Sequence, residues 1–362
     1  MKLAVEASIL ARPLAGVGVY TRSLVSAMAE LDDVEEIVLF SIGDVPEFAS
    51  PKVRTVRYRS RVQHFAIQLE LPKLLKNNGI DVLHGPNFYL PLRGKTPSAV
   101  TVHDLSAQFF PSHHSLKHRL SQAFLKPSIK RADAIIAVSK ATADEIARYR
   151  PSYAGKVRVV HNGVDERFTP APLSEIECIR VKFGLPERFI LFVGTLEPRK
   201  NVQRLVEAFA EIRHRVPQKL IIAGGKGWLY DDIFASVRQL GIEDSVMFIG
   251  YVPFEDLPAL YSSADVFCYP SLYEGFGLPV LEAMACGTPV VTSNLSSMPE
   301  VAGDCAILVD PSSAESIADG LRRLAQDDAL REDFKARGLA RAKEFTWQNC
   351  ARKTLDIYRS IV

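Results

Sequence analysis

The stretch Tyr273-Glu274-Gly275-Phe276-Gly277-Leu278-Pro279-Val280-Leu281-Glu282-Ala283-Met284-Ala285-Cys286-Gly287-Thr288-Pro289-Val290-Val291 decides the fold of this chain. It reads as a glycine-rich turn entering a helix, with Pro279 in the first helical turn, where its missing N–H is no loss. Gly287 stops the helix, and an apolar strand follows. Glycines ahead of a helix expose backbone N–H groups at the positive end of the helix dipole, and the two together favour a phosphate. Glu274 lies in the loop and Glu282 on the helix about one turn beyond its start, with seven residues between them. Carboxylates split in this way cannot both be partners of the phosphate. They suit hydroxyl groups on either side of it, a sugar on one and a ribose on the other. A lone loop glutamate is normally a solvated charge, and one near a helix start a dipole partner. The whole string, glycines included, is what favours a ligand.

Outward from this segment, short apolar runs alternate with longer helical patterns from end to end, the signature of parallel α/β sheets. In the first half the strands fall at Leu3–Ala7, Ile37–Phe40, Val53–Tyr58, Val82–His84, Ala99–His103, Ala134–Val138 and Val157–Val160. In the second half they fall at Phe189–Val193, Lys219–Ala223, Val246–Ile249, Val266–Tyr269, Pro289–Thr292 and Ala306–Val309. Several are too continuously apolar to be exposed on either face, as central parallel strands require. The two blocks meet at 161–188, where Asn162-Gly163, Pro170, Pro172, Gly184 and Pro186 mark a linker followed by a short helix. The chain has 362 residues, beyond the roughly 250 to 300 at which single cores stop growing, so two domains are expected. The boundaries read as 1–168 and 169–346, followed by a helix from about Trp347 to Ile361 with Thr346 as its N-cap.

Composition sets limits on function. With 47% hydrophobic and 24% charged residues each half can hold a full core, and a net charge of +2 is too small for bulk nucleic-acid binding. The five cysteines (Cys178, Cys268, Cys286, Cys305, Cys350) form no CxxC pair, which points to buried thiols in a reducing compartment rather than disulfides or structural zinc. Met1-Lys2-Leu3-Ala4-Val5-Glu6 reads as a buried first strand, not as a signal peptide. No apolar run reaches the ~18 residues of a membrane span. A soluble or peripheral cytoplasmic protein is expected.

Three further segments carry chemistry. Phe192-Val193-Gly194-Thr195-Leu196-Glu197-Pro198-Arg199-Lys200-Asn201 runs from a strand into a loop, and its adjacent cations stand where open α/β sheets bind ligands. Arginine offers a bidentate fork to phosphate and lysine a compact point charge, the alternative being a solvated basic turn. Pro13-Leu14-Ala15-Gly16-Val17-Gly18-Val19-Tyr20 follows the first strand and opens a helix, but lacks the third glycine and the acidic residue of a dinucleotide fingerprint. His103, before Asp104, ends a strand at the same carboxyl edge, where a structural histidine and a functional one both occur. Ser139 ends another and suits the N-cap of a helix over Lys140–Tyr149.

Taken together, these motifs resemble the retaining GT-B glycosyltransferases of glycosyltransferase family 4. The resemblance covers most of the chain and is densest between 189 and 310. Glu274 and Glu282 match the family's E-x7-E pair, in which the first glutamate faces the donor hexose and the second the ribose. Backbone amides of the turn, here Gly275, Phe276, Gly277 and Leu278, hold sugar and diphosphate. Lys200, six residues after Gly194, matches the lysine of the family's G-R-L-x-x-x-K-G clamp. Thr195 replaces its arginine, so Arg199 supplies the second cation, and the G-T-x-E-P-R-K-N form resembles bacterial polysaccharide mannosyltransferases. Gly16 and Gly18 match the loop against donor phosphate and acceptor, His103 the active-site histidine beside the transferred sugar, and Ser139 a recurring strand-end position. Asn162-Gly163-Val164-Asp165 matches the family's domain junction, and Glu300 a further family position without an assigned role.

The resemblance implies two facing Rossmann-like domains with an interdomain cleft, the last helix (347–362) completing the N-terminal acceptor domain and the donor lying mainly on the second. It also implies hexosyl transfer with retention and no metal or other cofactor. Arg199, Lys200 and the loop amides would stabilise the leaving diphosphate, Glu274 would orient the sugar, and His103 would support the positively charged ring. GDP-mannose is the donor the subgroup implies, with UDP- and dTDP-sugars as alternatives and a saccharide or lipid-linked glycan as acceptor in cell-surface polysaccharide synthesis. A nucleotide-sugar epimerase of the same architecture would convert donor without acceptor. A non-catalytic binding module would keep the clamp yet show no turnover.

Two basic stretches remain. Residues 52–76 carry Lys52, Arg54, Arg57, Arg59, Arg61, Lys73 and Lys76 against Glu70, and 105–132 carry Lys117, Arg119, Lys126, Lys130, Arg131, His113, His114 and His118 without an acid. Leu116, Leu120, Phe124 and Leu125 fall near helical spacing. Solvated helix faces are one reading; contact with anionic head groups at the inner face of the plasma membrane, or with a lipid-linked diphosphate acceptor, is the other.

Overall fold

The computed structural model describes residues 1–12, 16–106, 125–225, 227 and 231–362. Pro13, Leu14 and Ala15 of the first glycine loop lie outside the described residues, as do His113, His114, Leu116, Lys117, His118, Arg119, Leu120 and Phe124 of the second basic stretch. The strands are β1 Lys2–Glu6, β2 Glu36–Ser41, β3 Val53–Arg57, β4 Val82–Gly85, β5 Ser98–Val102, β6 Ala134–Ala137 and β7 Val157–Val159 in the first half. In the second half they are β8 Phe189–Val193, β9 Lys219–Ala223, β10 Val246–Gly250, β11 Val266–Tyr269, β12 Val290–Ser293 and β13 Ile307–Val309. Every expected strand is present, with ends moved by no more than one residue. Pro289 precedes β12 rather than opening it, and its carbonyl accepts from Phe267 N at 2.8 Å. His103 stands just past the end of β5.

Two parallel sheets result, ordered β3-β2-β1-β4-β5-β6-β7 and β10-β9-β8-β11-β12-β13. Each is a doubly wound Rossmann sheet in which the strand order reverses between the first strand and the fourth, and the crevice outside the carboxyl ends there is where such sheets take ligands. The compact units are Met1–Gly163 with Thr346–Val362, and Val164–Phe345. The division comes after Gly163 rather than at 168 because Val164 N donates to Phe345 O at 3.0 Å, tying both ends of the second unit together. On the other side of that division a Cβ at Gly163 would lie 2.2 Å from Trp347 N. Only glycine lets these two segments pass so closely.

In the first unit the period of two along β1 sorts its side chains into two layers. Leu3 and Val5 enter one with Tyr20, Leu24, Met28 and Trp347; Ala4 enters the other with Phe40, Ile67, Leu71 and Leu83. The helix Trp347–Arg359, shorter at its end than read from sequence, is capped by Thr346, whose side chain accepts from Asn349 N. Its Tyr358 reaches the buried ring of His84, hydroxyl to Nδ1 2.7 Å, and Nε2 lies 2.8 Å from Thr101 Oγ1, which lies 2.8 Å from the Tyr20 hydroxyl. Burial pushes the His84 pKa down to about 3, with His103 adding to the effect. A neutral ring offers one donor and one acceptor, which a chain of hydroxyls on both sides requires. Three cysteines are buried as expected (Cys268, Cys286, Cys350), Cys305 is intermediate, and all five are free. Cys178 is instead exposed, because the helix Leu173–Phe183 buries only Ile179.

Tyr358→Phe should leave a nitrogen of the buried His84 ring without a partner and cost about 1–3 kcal/mol. Urea denaturation of the variant beside the parent protein measures this loss.

Candidate active site

Each unit carries its candidate residues at the reversal point of its own sheet. In the second unit the loops after β8 and β11 leave adjacent carboxyl ends. The first carries Gly194, Thr195, Leu196 and Glu197 into a short turn Pro198–Lys200. Gly194 is held close to the loop after β9, since a Cβ at Gly224 would meet Gly194 O at 1.9 Å. Thr195 is exposed, and Leu196 is buried. The second loop carries Ser271 through Gly277 to the helix Leu278–Ala285, which has Pro279 in its first turn and no side-chain cap. Gly277 has φ +106°, a conformation open to glycine, and a side chain there would also strike Met298.

The two loops are joined through Glu274. Lys200 Nζ donates to Glu274 Oε1 at 2.6 Å, and Arg199 Nη1 donates to Oε2 at 2.8 Å. Ser271 Oγ and the Tyr269 hydroxyl donate to Oε1 at 2.8 and 2.9 Å, and Lys200 also donates to Tyr269 at 2.5 Å. Arg199 continues to Glu197 Oε1 at 2.7 Å and to the Tyr273 carbonyl at 2.9 Å. Burial pushes the Glu274 carboxyl up, but the Lys200 and Arg199 charges and the bonds from Lys200 and Ser271 overcome it, bringing its pKa down to about 2. Burial moves the Lys200 pKa downward against the pull of Glu274. A carboxylate inside such a cage is a fixed charge and acceptor. It is a poor nucleophile.

The turn between the two glutamates is oriented by serines. Ser296 Oγ and Ser297 Oγ donate to the Glu274 carbonyl at 2.5 and 3.0 Å, and Ser297 also donates to the Phe276 carbonyl at 2.8 Å. Phe276 turns its ring into the core against Phe345, centroids 5.9 Å apart, so its backbone alone can serve a ligand; Gly275 beside it is buried. Glu282 lies half-buried on the helix and accepts from the Tyr261 hydroxyl at 3.0 Å. Burial pushes its pKa up to about 7 against the Tyr261 bond, with Asp165 adding to the rise. The Glu300 carbonyl accepts from Arg341 at 2.7 Å.

His103, Gly16, Gly18 and Ser139 belong to the first unit. His103 Nε2 lies 2.8 Å from the Pro86 carbonyl. That oxygen can only accept, so Nε2 carries the proton. The ring stands edge-on to Tyr20 with centroids 4.7 Å apart, and burial lowers its pKa, opposed by the Pro86 bond. Gly16 opens the helix Gly16–Ala29, and a Cβ there would meet no atom of the described residues within 4 Å, while Gly18 is buried two residues on. Ser139 is fully buried and caps the helix Lys140–Tyr149, accepting from Thr142 N at 3.0 Å.

The sequence motifs thus fall at the sheet edges where the fold takes ligands, but Tyr269, Ser271, Ser296, Ser297, Tyr261 and Tyr20 escaped the sequence reading. Tyr269 ends an otherwise apolar strand, which is a signal; the serines carry none.

Two Rossmann sheets, one with paired cations and a glycine turn at its reversal point, define an enzyme of the double-Rossmann, GT-B class. Residues 176–341 match the model of glycosyl transferases group 1 and residues 14–168 that of Glycosyltransferase Family 4. The chain belongs to glycosyltransferase family 4. It is similar to the O-antigen chain mannosyltransferase B of Escherichia coli, 36% identical over 99% of this chain and 100% of that protein. Among solved structures it resembles sucrose-phosphate synthase from Thermosynechococcus elongatus, with TM-score 0.79 and 24% identity over 99% of this chain and 98% of the other. It also resembles Anabaena HepE in complex with UDP and glucose, with TM-score 0.76 and 19% identity over 99% of each chain.

Glu274→Gln should leave the buried Lys200 and Arg199 without their common counter-charge, at a cost of about 3–5 kcal/mol in chemical denaturation. The folded pKa is depressed, so the carboxylate's contribution is full above its ordinary value of 4.5 and is lost as pH falls through about 2. The gap between variant and parent should therefore narrow in acid.

Proposed function

We propose that this glycosyltransferase moves a hexose, mannose from GDP-mannose, onto a saccharide or lipid-linked glycan acceptor in cell-surface polysaccharide synthesis in the cytoplasm. The observation that carries the reading is the convergence of Lys200 and Arg199 on Glu274 beside the glycine turn. Mannose is supported by the 36% identity to an O-antigen chain mannosyltransferase. A UDP-sugar is the second reading, since HepE was solved with UDP and glucose.

In this reading the donor's diphosphate lies at the start of the helix Leu278–Ala285, where backbone N–H groups, Lys200 and Arg199 meet the charge that grows as the bond from sugar C1 to phosphate oxygen breaks. These cations do the work without a metal. The acceptor hydroxyl forms the new bond to C1 on the same face, and its proton passes to the departing phosphate oxygen, so configuration is retained. Glu274 orients the sugar, its charge fixed by the cations around it. Glu282 accepts from the ribose hydroxyls, Gly16 and Gly18 admit the phosphate and acceptor, and His103 supports the positive ring, with the helix capped by Ser139 beside it.

Thermal-shift titration with GDP, UDP, dTDP and their sugars tests the reading. Stabilisation confined to the guanosine compounds is expected; none with any nucleotide would sink the proposal. Lys200→Ala should lower kcat by about a hundredfold or more in a transfer assay with the preferred donor, the loss typical of a transition-state charge partner. Because Glu282 has a raised pKa of about 7, it is ionised above that pH and protonated below it. Donor affinity should therefore weaken as pH falls from 8 toward 6, on the order of tenfold per unit below the pKa, and Glu282→Gln should flatten the profile in calorimetric titration.

A further inference from the structure

Three non-glycine residues among the described residues have a positive φ, and two of them, Asn201 at +61° and Ser296 at +58°, stand in loops that meet at Glu274. Ser296 is already accounted for, since its hydroxyl holds the Glu274 carbonyl. Asn201 follows Lys200 directly and precedes the helix Val202–Ile212. At that position an asparagine normally has extended backbone and caps the helix through its side-chain oxygen. Asn201 does neither: its backbone is left-handed and its side chain makes no cap hydrogen bond. Backbone held away from its usual conformation concentrates at functional sites, where the surroundings over-determine it.

The side chain has another task. Asn201 Nδ2 donates to the Pro270 carbonyl at 3.0 Å and to the Pro311 carbonyl at 2.7 Å, so both hydrogens of the amide are used. Pro270 stands between Tyr269 and Ser271, two of the donors to Glu274, and Pro311 lies just past the end of β13. Bonds return in the other direction: Leu272 N and Ser271 Oγ donate to the Arg199 carbonyl at 2.9 and 3.0 Å. The backbone on either side of Lys200 is therefore tied to the loop that carries Glu274, and Asn201 anchors it on a third loop as well. These ties limit how far the Lys200 ammonium can stray from Glu274 Oε1, 2.6 Å away. Burial opposes the charge on Lys200, so an ammonium whose backbone could drift would turn toward water.

We infer that Asn201 is a positioning residue, which holds Lys200 where the donor's diphosphate is met and acts on that diphosphate only through Lys200. The inference rests on the donor reading above and adds to it a residue of the G-T-x-E-P-R-K-N segment to which that reading gives no role. An asparagine that served the fold alone would matter equally with or without the lysine beside it, and equally for a ligand with one phosphate or two.

Calorimetric titration of the full chain with GDP and GMP, and with UDP and UMP, tests it through a double-mutant cycle. Asn201→Gly keeps the left-handed backbone and removes both donors. It should weaken binding of the preferred nucleoside diphosphate about tenfold and that of its monophosphate by less than about twofold. Asn201→Asp, which keeps the shape but offers the two carbonyls no donor, should lose at least as much. In Lys200→Ala, itself weakened, adding Asn201→Gly should cost nothing further. Equal losses for diphosphate and monophosphate, parent-like diphosphate binding by both Asn201 variants, or losses that multiply in the double variant overturn the inference and leave the donor reading standing. No binding of any of these nucleotides by the parent protein, or parent-like binding by Lys200→Ala, overturns both.

Discussion

A carboxylate set between two cations at the edge of a sheet joins the two loops of the candidate site. Glu274 reaches Lys200 from a loop 74 residues away in sequence, and the two loops have little regular structure beyond the short turn Pro198–Lys200. A buried charge is tolerable only with its partners in place, so the cage fixes both loops relative to the ends of β8 and β11. Tyr269 and Ser271 add two further donors to Glu274 Oε1, and Ser296 and Ser297 hold the carbonyls of the turn. The amides of the turn and the start of the helix Leu278–Ala285 are placed by the same contacts. On the proposed reading, a departing diphosphate would meet donors already held in place before it binds, which is what makes such electrostatic stabilisation effective.

The first unit solves a different problem. Its last helix comes from the far end of the chain, after the whole second unit, and must find its groove. Apolar contacts of Trp347, Leu355 and Tyr358 supply the area. The buried chain from Tyr358 through His84 and Thr101 to Tyr20 supplies the register, since a polar group in such a layer is costly unless every partner is met. The same Tyr20 ring that ends this chain packs against His103. The candidate active-site histidine is thus positioned by the device that seats the terminal helix, and a fault in one should be felt by the other.

How much of this was legible beforehand differs by element. Strands such as Phe189–Val193 and Val266–Tyr269 are apolar runs of the right length between turn residues, and both appear unshifted. The caps by Ser139 and Thr346 were equally plain, because capping depends on neighbours three residues apart. The unit boundary was missed by a few residues, because it is set by pairing between Val164 and Phe345, remote in sequence. The outward face of Cys178 was missed because one helix turn separates a buried position from an exposed one. Ser296 and Ser297 could not have been found: nothing local distinguishes a serine that orients a distant carbonyl from one facing water.

The sequence by itself determined the strands, the glycine turn with its helix, and the presence of two glutamates and two cations beside it. These follow from local steric and hydrophobic rules acting over a few residues. Only the tertiary structure decided that Arg199 and Lys200 both turn to Glu274, that Tyr269 joins them, and that Phe65 and Leu69 face outward. Those outcomes depend on which loops the strand order makes neighbours and which helix face the sheet covers, and chain distance carries no record of either.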